Sequence, residues 1–115
     1  MKFAIVEDNP STRMTVKFAV QKMGYPVVAE AENYEEAIKM IEESDFDVLL
    51  LDILIPGGSG MEVIRNSNMK GKKIIAITAL EQNSIDKELL KLGVCYILKK
   101  PFSYSELEDA IKKCL

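Results

Sequence analysis

The feature that most constrains this chain is an alternation repeated five times. Short apolar runs rich in β-branched residues, "FAIV" (3–6), "PVVAEA" (26–31), "FDVLLL" (46–51), "KIIAIT" (73–78) and "CYIL" (95–98), are each followed by a segment of helical period. Thr12, Val16, Ala19, Val20 and Met23 fall on one face between positions 10 and 23. Ala37, Ile38 and Ile41 do the same from 34 to 42, behind Asn33 as N-cap. Met61 and Ile64 predict a shorter helix after the Gly57–Gly60 loop. Ile85, Leu89 and Leu92 predict a fourth, ended by Gly93. Leu107, Ala110, Ile111 and Cys114 predict a fifth, opened by Ser103 or Ser105. Five βα units imply an α/β fold: a five-stranded parallel sheet, doubly wound, with helices on both faces and right-handed crossovers. No linker, repeat or low-complexity segment interrupts the 115 residues, so one domain is expected over 1–115.

In such a sheet, ligands bind beyond the C-terminal ends of the strands. The first strand ends in Glu7 and Asp8, the third in Asp52, the fourth in Thr78 followed by Ala79, and the fifth in Lys99 and Lys100 before Pro101. Asp52 closes the apolar run Leu49–Leu51, where a lone carboxylate is costly. Three carboxylates brought together cost more: at about 4 Å and an effective dielectric near 20, each pair repels by roughly 4 kcal/mol. A divalent cation removes that cost, and a few hard carboxylate oxygens with retained waters suit Mg²⁺. Thr78 and a lysine would then bind phosphoryl oxygens, and Asp52 would act as nucleophile to form an aspartyl phosphate.

Four blocks, "IVEDN" (5–9), "LLLDILIPGGSG" (49–60), "IAITA" (75–79) and "LKKPF" (98–102), stand in order at these strand ends. With them the chain resembles, over essentially its whole length, the receiver domain of two-component response regulators, single-domain chemotaxis-type regulators included. The resemblance implies a flavodoxin-like strand order 2-1-3-4-5. It implies Asp52 as phosphoryl acceptor, and Glu7, Asp8, Asp52 and the backbone carbonyl of Leu54 as holders of Mg²⁺, for which Mn²⁺ can substitute. Thr78 matches the hydroxyl that moves to the phosphoryl group, with Ala79 beside it in the phosphoryl loop. Lys100 matches the lysine that binds a phosphoryl oxygen, preceded by the decoy Lys99, which strand alternation points the other way. The Lys100–Pro101 bond is expected cis.

The implied function is a phosphorylation switch rather than an enzyme, although the domain assists its own phosphoryl transfer and slow dephosphorylation. A histidine kinase or histidine phosphotransfer protein would donate the phosphoryl group, because the chain has no histidine of its own. A downstream protein would read the altered surface. The chain ends with its fifth helix, so a protein–protein output or onward relay is expected rather than an attached output domain. The alternative is a receiver-like interaction module that is never phosphorylated; it would lack one of the five key groups. A phosphatase of the haloacid dehalogenase type would need an acid where Leu54 stands.

Departures from the family pattern carry expectations too. Ile97 stands three residues before Lys100, where an aromatic switch residue is usual, and Tyr96 points to the opposite face. Activation is therefore expected to rely on Thr78 and loop 79–84. Ile55 and Gly58 replace common methionines and read as harmless packing changes. Cys95 and Cys114 read as two small apolar core residues. Met14 and Phe18 lie about 180° from the core stripe of the first helix, a candidate docking site for a partner helix.

A net charge of −3 and a pI near 5.0 argue against nucleic-acid binding. No apolar run approaches the roughly 18 residues of a membrane span, and "MKFAIVEDNP" is no signal peptide, so a cytoplasmic location is expected.

Overall fold

The computed structural model describes residues 1–115. Strand β1 (Phe3–Val6) leads into α1 (Pro10–Lys22), and β2 (Val27–Ala31) into α2 (Tyr34–Glu43). Strand β3 (Val48–Asp52) leads into a small hairpin, β4 (Leu54–Ile55) and β5 (Gly58–Ser59), and then α3 (Gly60–Arg65). Strand β6 (Lys73–Thr78) precedes α4 (Asn83–Lys91), and β7 (Tyr96–Lys99) precedes α5 (Tyr104–Cys114). The main sheet has five parallel strands in the order β2-β1-β3-β6-β7, the expected doubly wound arrangement. No helix is long and apolar enough to cross a membrane.

Why β3 is central can be read from its residues. All five are buried. Successive side chains of a strand point to opposite faces. Leu49 and Leu51 accordingly join Ala37, Ile41, Val63 and Leu89 in one core, under α2, α3 and α4. Val48 and Leu50 join Val16, Val20, Leu107 and Ile111 in the other, under α1 and α5. Each fully buried leucine contributes about 1.5–3 kcal/mol relative to exposure. A strand apolar on both faces is stable only between two helical layers, and that location carries its last residue, Asp52, to the middle of the sheet edge.

The helices begin and end where their caps dictate. Asn9 Oδ1 accepts from the amides of Ser11 and Thr12, and Pro10 starts α1 where its missing N–H costs nothing. Asn33 Oδ1 accepts from the Glu36 amide as expected. Ser103, not Ser105, opens α5, in a reciprocal capping box with Glu106. Gly93, at φ +95°, follows α4. There its N–H donates to Leu90 O and that of Val94 to Leu89 O, which closes the helix.

Two expectations are corrected by the fold. Cys95 and Cys114 are not two free core thiols but a disulfide, with Cα atoms 5.9 Å apart. It ties the last turn of α5 to the residue before β7. Their spacing of 19 residues hides this, because they meet only once α5 folds back along β7. Gly58 is not a neutral replacement either. A Cβ there would stand 2.8 Å from Tyr34 Cδ1 and 2.9 Å from Cγ. The Tyr34 ring therefore occupies the space that a side chain at 58 would need.

Candidate functional site

The ends of two adjacent strands, β1 and β3, bring Glu7, Asp8 and Asp52 together. One carboxylate oxygen from each lies within 4.8 Å of the others. Glu7 and Asp52 are each 3% exposed, whereas Asp8 faces solvent. Each buried acid is held by a backbone amide. Asn9 N donates to Glu7 Oε2 at 3.0 Å, and Leu54 N donates to Asp52 Oδ1 at 2.9 Å. The second bond curls the chain after β3 back toward the acids, so that Leu54 lies at the site's rim.

Lys100 sits among these acids. Its Nζ donates to Glu7 Oε1 at 2.7 Å and to Asp52 Oδ2 at 2.8 Å. Burial pushes this ammonium toward its neutral form, but the bonds it donates to Asp52 and Glu7, with their negative charge, outweigh burial and raise its pKa above the ordinary 10.5. The Lys100–Pro101 peptide is cis. Three carboxylates and one ammonium leave two negative charges, which is the deficit a divalent cation corrects. Oxygen-only donors fit a hard ion such as Mg²⁺.

Thr78 ends β6 and is fully buried. Its Oγ1 accepts from Leu80 N at 3.0 Å, so the hydroxyl is engaged by its own loop rather than by the acids. Ala79, next along, is exposed and lines an open groove of about 500 Å³ with Lys100, Pro101, Phe102, Ser11, Thr12 and Thr15. Ile97 is half-buried and packs toward the α2–α4 core, while Tyr96 packs toward the α1–α5 core. Met14 and Phe18 are 57% and 62% exposed on α1. Phe18 borders a second groove of about 260 Å³ whose lining includes Phe102, Tyr104 and Leu107.

Comparison with known proteins gives the family of the chain. A family model described as the response regulator receiver domain matches residues 3–112. The chain belongs to the response regulator receiver domains. Among solved structures, this receiver domain is similar to a CheY-like response regulator receiver domain protein from Methanospirillum hungatei JF-1. The two are 25% identical, with TM-score 0.88 over 97% of this chain and 90% of the other. It is similar to the chemotaxis protein CheY4 of Vibrio cholerae, 27% identical, with TM-score 0.89 over 99% and 98% of the two chains. A DNA-binding response regulator of the LuxR family from Staphylococcus aureus is 28% identical, with TM-score 0.88 over 98% and 97%.

Sequence reasoning missed four contributors to the receiver's edge. Asn9 both caps α1 and holds Glu7, and its place before Pro10 was the available signal. Arg13 Nη1 donates to Glu7 O at 2.8 Å from the first turns of α1, across six residues that helical period alone does not connect. A Cβ on Gly60 would meet Asp52 O at 2.8 Å, so the start of α3 passes directly against the backbone of the acid. Lys99 points away from the acids, as alternation requires, but is not idle: its Nζ donates to Leu80 O and to Asp86 Oδ1.

Proposed function

We propose that this receiver domain accepts a phosphoryl group on Asp52 from the phosphohistidine of a kinase or phosphotransfer protein, in the cytoplasm, and thereby switches a protein-binding surface. The observation that carries this is the joint hold of Lys100 on Asp52 and Glu7 beside Asp8. It sets a buried carboxylate, a cation and two more acids at one point. The Leu54 amide and the Lys100 ammonium each hold one oxygen of Asp52.

The step balances simply. An Asp52 oxygen attacks phosphorus, the P–N bond to imidazole breaks, and the imidazole leaves with its electron pair and takes a proton from solvent. Glu7, Asp8, Asp52 and the Leu54 carbonyl would hold Mg²⁺, which supplies neutralisation of the phosphoryl charge. Lys100 exchanges an Asp52 contact for a phosphoryl oxygen, and the Thr78 side chain is drawn toward another. The domain contributes position and charge rather than a separate base. The hydroxyl-lined groove of Ser11, Thr12 and Thr15 beside Lys100 leaves an open approach for a donor. The exposed Met14 and Phe18 offer an apolar surface for a donor helix.

The test is incubation with Mg²⁺ and acetyl phosphate, followed by intact-mass measurement. One phosphoryl adduct, stable in acid and lost in base, is expected, and Asp52→Ala should abolish it. An adduct that survives Asp52→Ala overturns the assignment. Absence of any adduct favours the interaction-module reading.

A further inference from the structure

The Leu80 peptide is held at both ends. Its N–H donates to Thr78 Oγ1 at 3.0 Å, and its carbonyl accepts from Lys99 Nζ at 2.5 Å. The same ammonium donates to Asp86 Oδ1 at 2.8 Å, in the first turns of α4. Thr78 and Lys99 are register partners in the β6–β7 ladder, so the lysine rises from directly beside the threonine. Helix α4 has no other N-terminal fastening of this kind, because Gln82, its N-cap residue, makes no side-chain capping bond. Ile97 lies two residues before Lys99 on the same face of β7 and has no polar atom with which to bind the loop.

We propose that Lys99 is a positioning residue that latches the Thr78 loop and the start of α4 in the resting state. Phosphorylation opens this latch when Leu80 is carried with Thr78 toward the phosphoryl group. The proposal rests on the reading of Asp52 as phosphoryl acceptor. The physical reason is connectivity. Thr78 reaches α4 only through residues 79–82, and drawing its side chain toward Asp52 either breaks the Leu80 N–H bond or drags Leu80 with it. In the second case the Lys99–Leu80 and Lys99–Asp86 bonds stretch together. An ion pair thus sets the resting population of the loop, in a chain where Ile97 cannot do so by hydrogen bonding.

The test uses Lys99→Met, which keeps the aliphatic stem, and Lys99→Arg, which keeps the charge. Amide exchange at Leu80 and Asp86 is read on the protein without phosphodonor, and Mg²⁺–beryllofluoride affinity is read by titration. Lys99→Met should speed exchange at both amides and tighten beryllofluoride binding, each by about fivefold, the worth of a partly exposed charge pair. Lys99→Arg should restore both toward wild type. A merely structural lysine would leave beryllofluoride affinity unchanged or weaken it, and either result overturns the latch. Unchanged exchange also overturns it. If wild-type protein binds no beryllofluoride, the phosphoryl-acceptor reading itself fails and the regulatory role of the latch falls with it. Tight wild-type binding with no change on Lys99→Met removes the latch alone.

Discussion

Gly60 lies against the backbone of Asp52. A Cβ at position 60 would stand 2.8 Å from the Asp52 carbonyl oxygen and 2.9 Å from Ile53 Cα. The closest of these atoms are main chain, so the strand end itself would have to move. Gly60→Ala is expected to cost about 1–3 kcal/mol in denaturant unfolding, as overpacking does. It should also slow acetyl phosphate labelling of Asp52 by tenfold or more, because displacement of a reacting group by a fraction of an ångström is expensive. Labelling at the wild-type rate would show that the strand end tolerates the shift.

Lys100 balances the acids in the resting site. Its removal in Lys100→Met leaves Glu7 and Asp52 buried without a counter-charge. A loss of about 2 kcal/mol is expected, less than for full burial because the lysine side chain is partly exposed. Mg²⁺ should bind the variant about tenfold more tightly, since one competing cation is gone. Phosphoryl labelling should nevertheless fall. Isothermal titration and labelling kinetics on the same sample read these opposite signs.

The pH dependence follows from the same pair of bonds. The Lys100 pKa is raised in the folded state above the ordinary lysine value of 10.5. Its contribution is therefore complete below that value and is lost as pH rises through the folded pKa. The melting-temperature gap between wild type and Lys100→Met should be steady from neutral pH to about 9.5 and should narrow above about 10.5. A gap that does not narrow above about 10.5 would overturn this assignment.

Tyr34 and Gly58 occupy one volume. Gly58→Met should destabilise the domain by about 1–3 kcal/mol through collision with the Tyr34 ring. The double variant Gly58→Met with Tyr34→Ala should recover part of that loss, a coupling that a double-mutant cycle measures.

The disulfide closes a loop between residues 19 apart. In the chain-entropy view, its loss in Cys114→Ser costs about 3 kcal/mol, visible as a lower denaturation midpoint that dithiothreitol reproduces in wild type. Phosphoryl labelling of Asp52 should be unchanged, because Cys95 precedes β7 whereas Lys100 follows it, at the opposite end of the strand.

The sequence alone determined the layout of this protein. Strand and helix periods are local, and the βα alternation leaves one doubly wound sheet whose edge must gather Glu7, Asp8, Asp52, Thr78 and Lys100. Even the opposite facing of Lys99 and Lys100 follows from the period of two. What Lys99 binds does not. Leu80 and Asp86 lie 19 and 13 residues away, and only the packing of α4 against the end of β7 brings them to its ammonium. The same holds for Tyr34 over Gly58, for Gly60 against Asp52, and for Cys95 with Cys114. Periodicity assigns a side chain to a face, but which atoms meet on that face is decided by the close packing of elements distant in the chain.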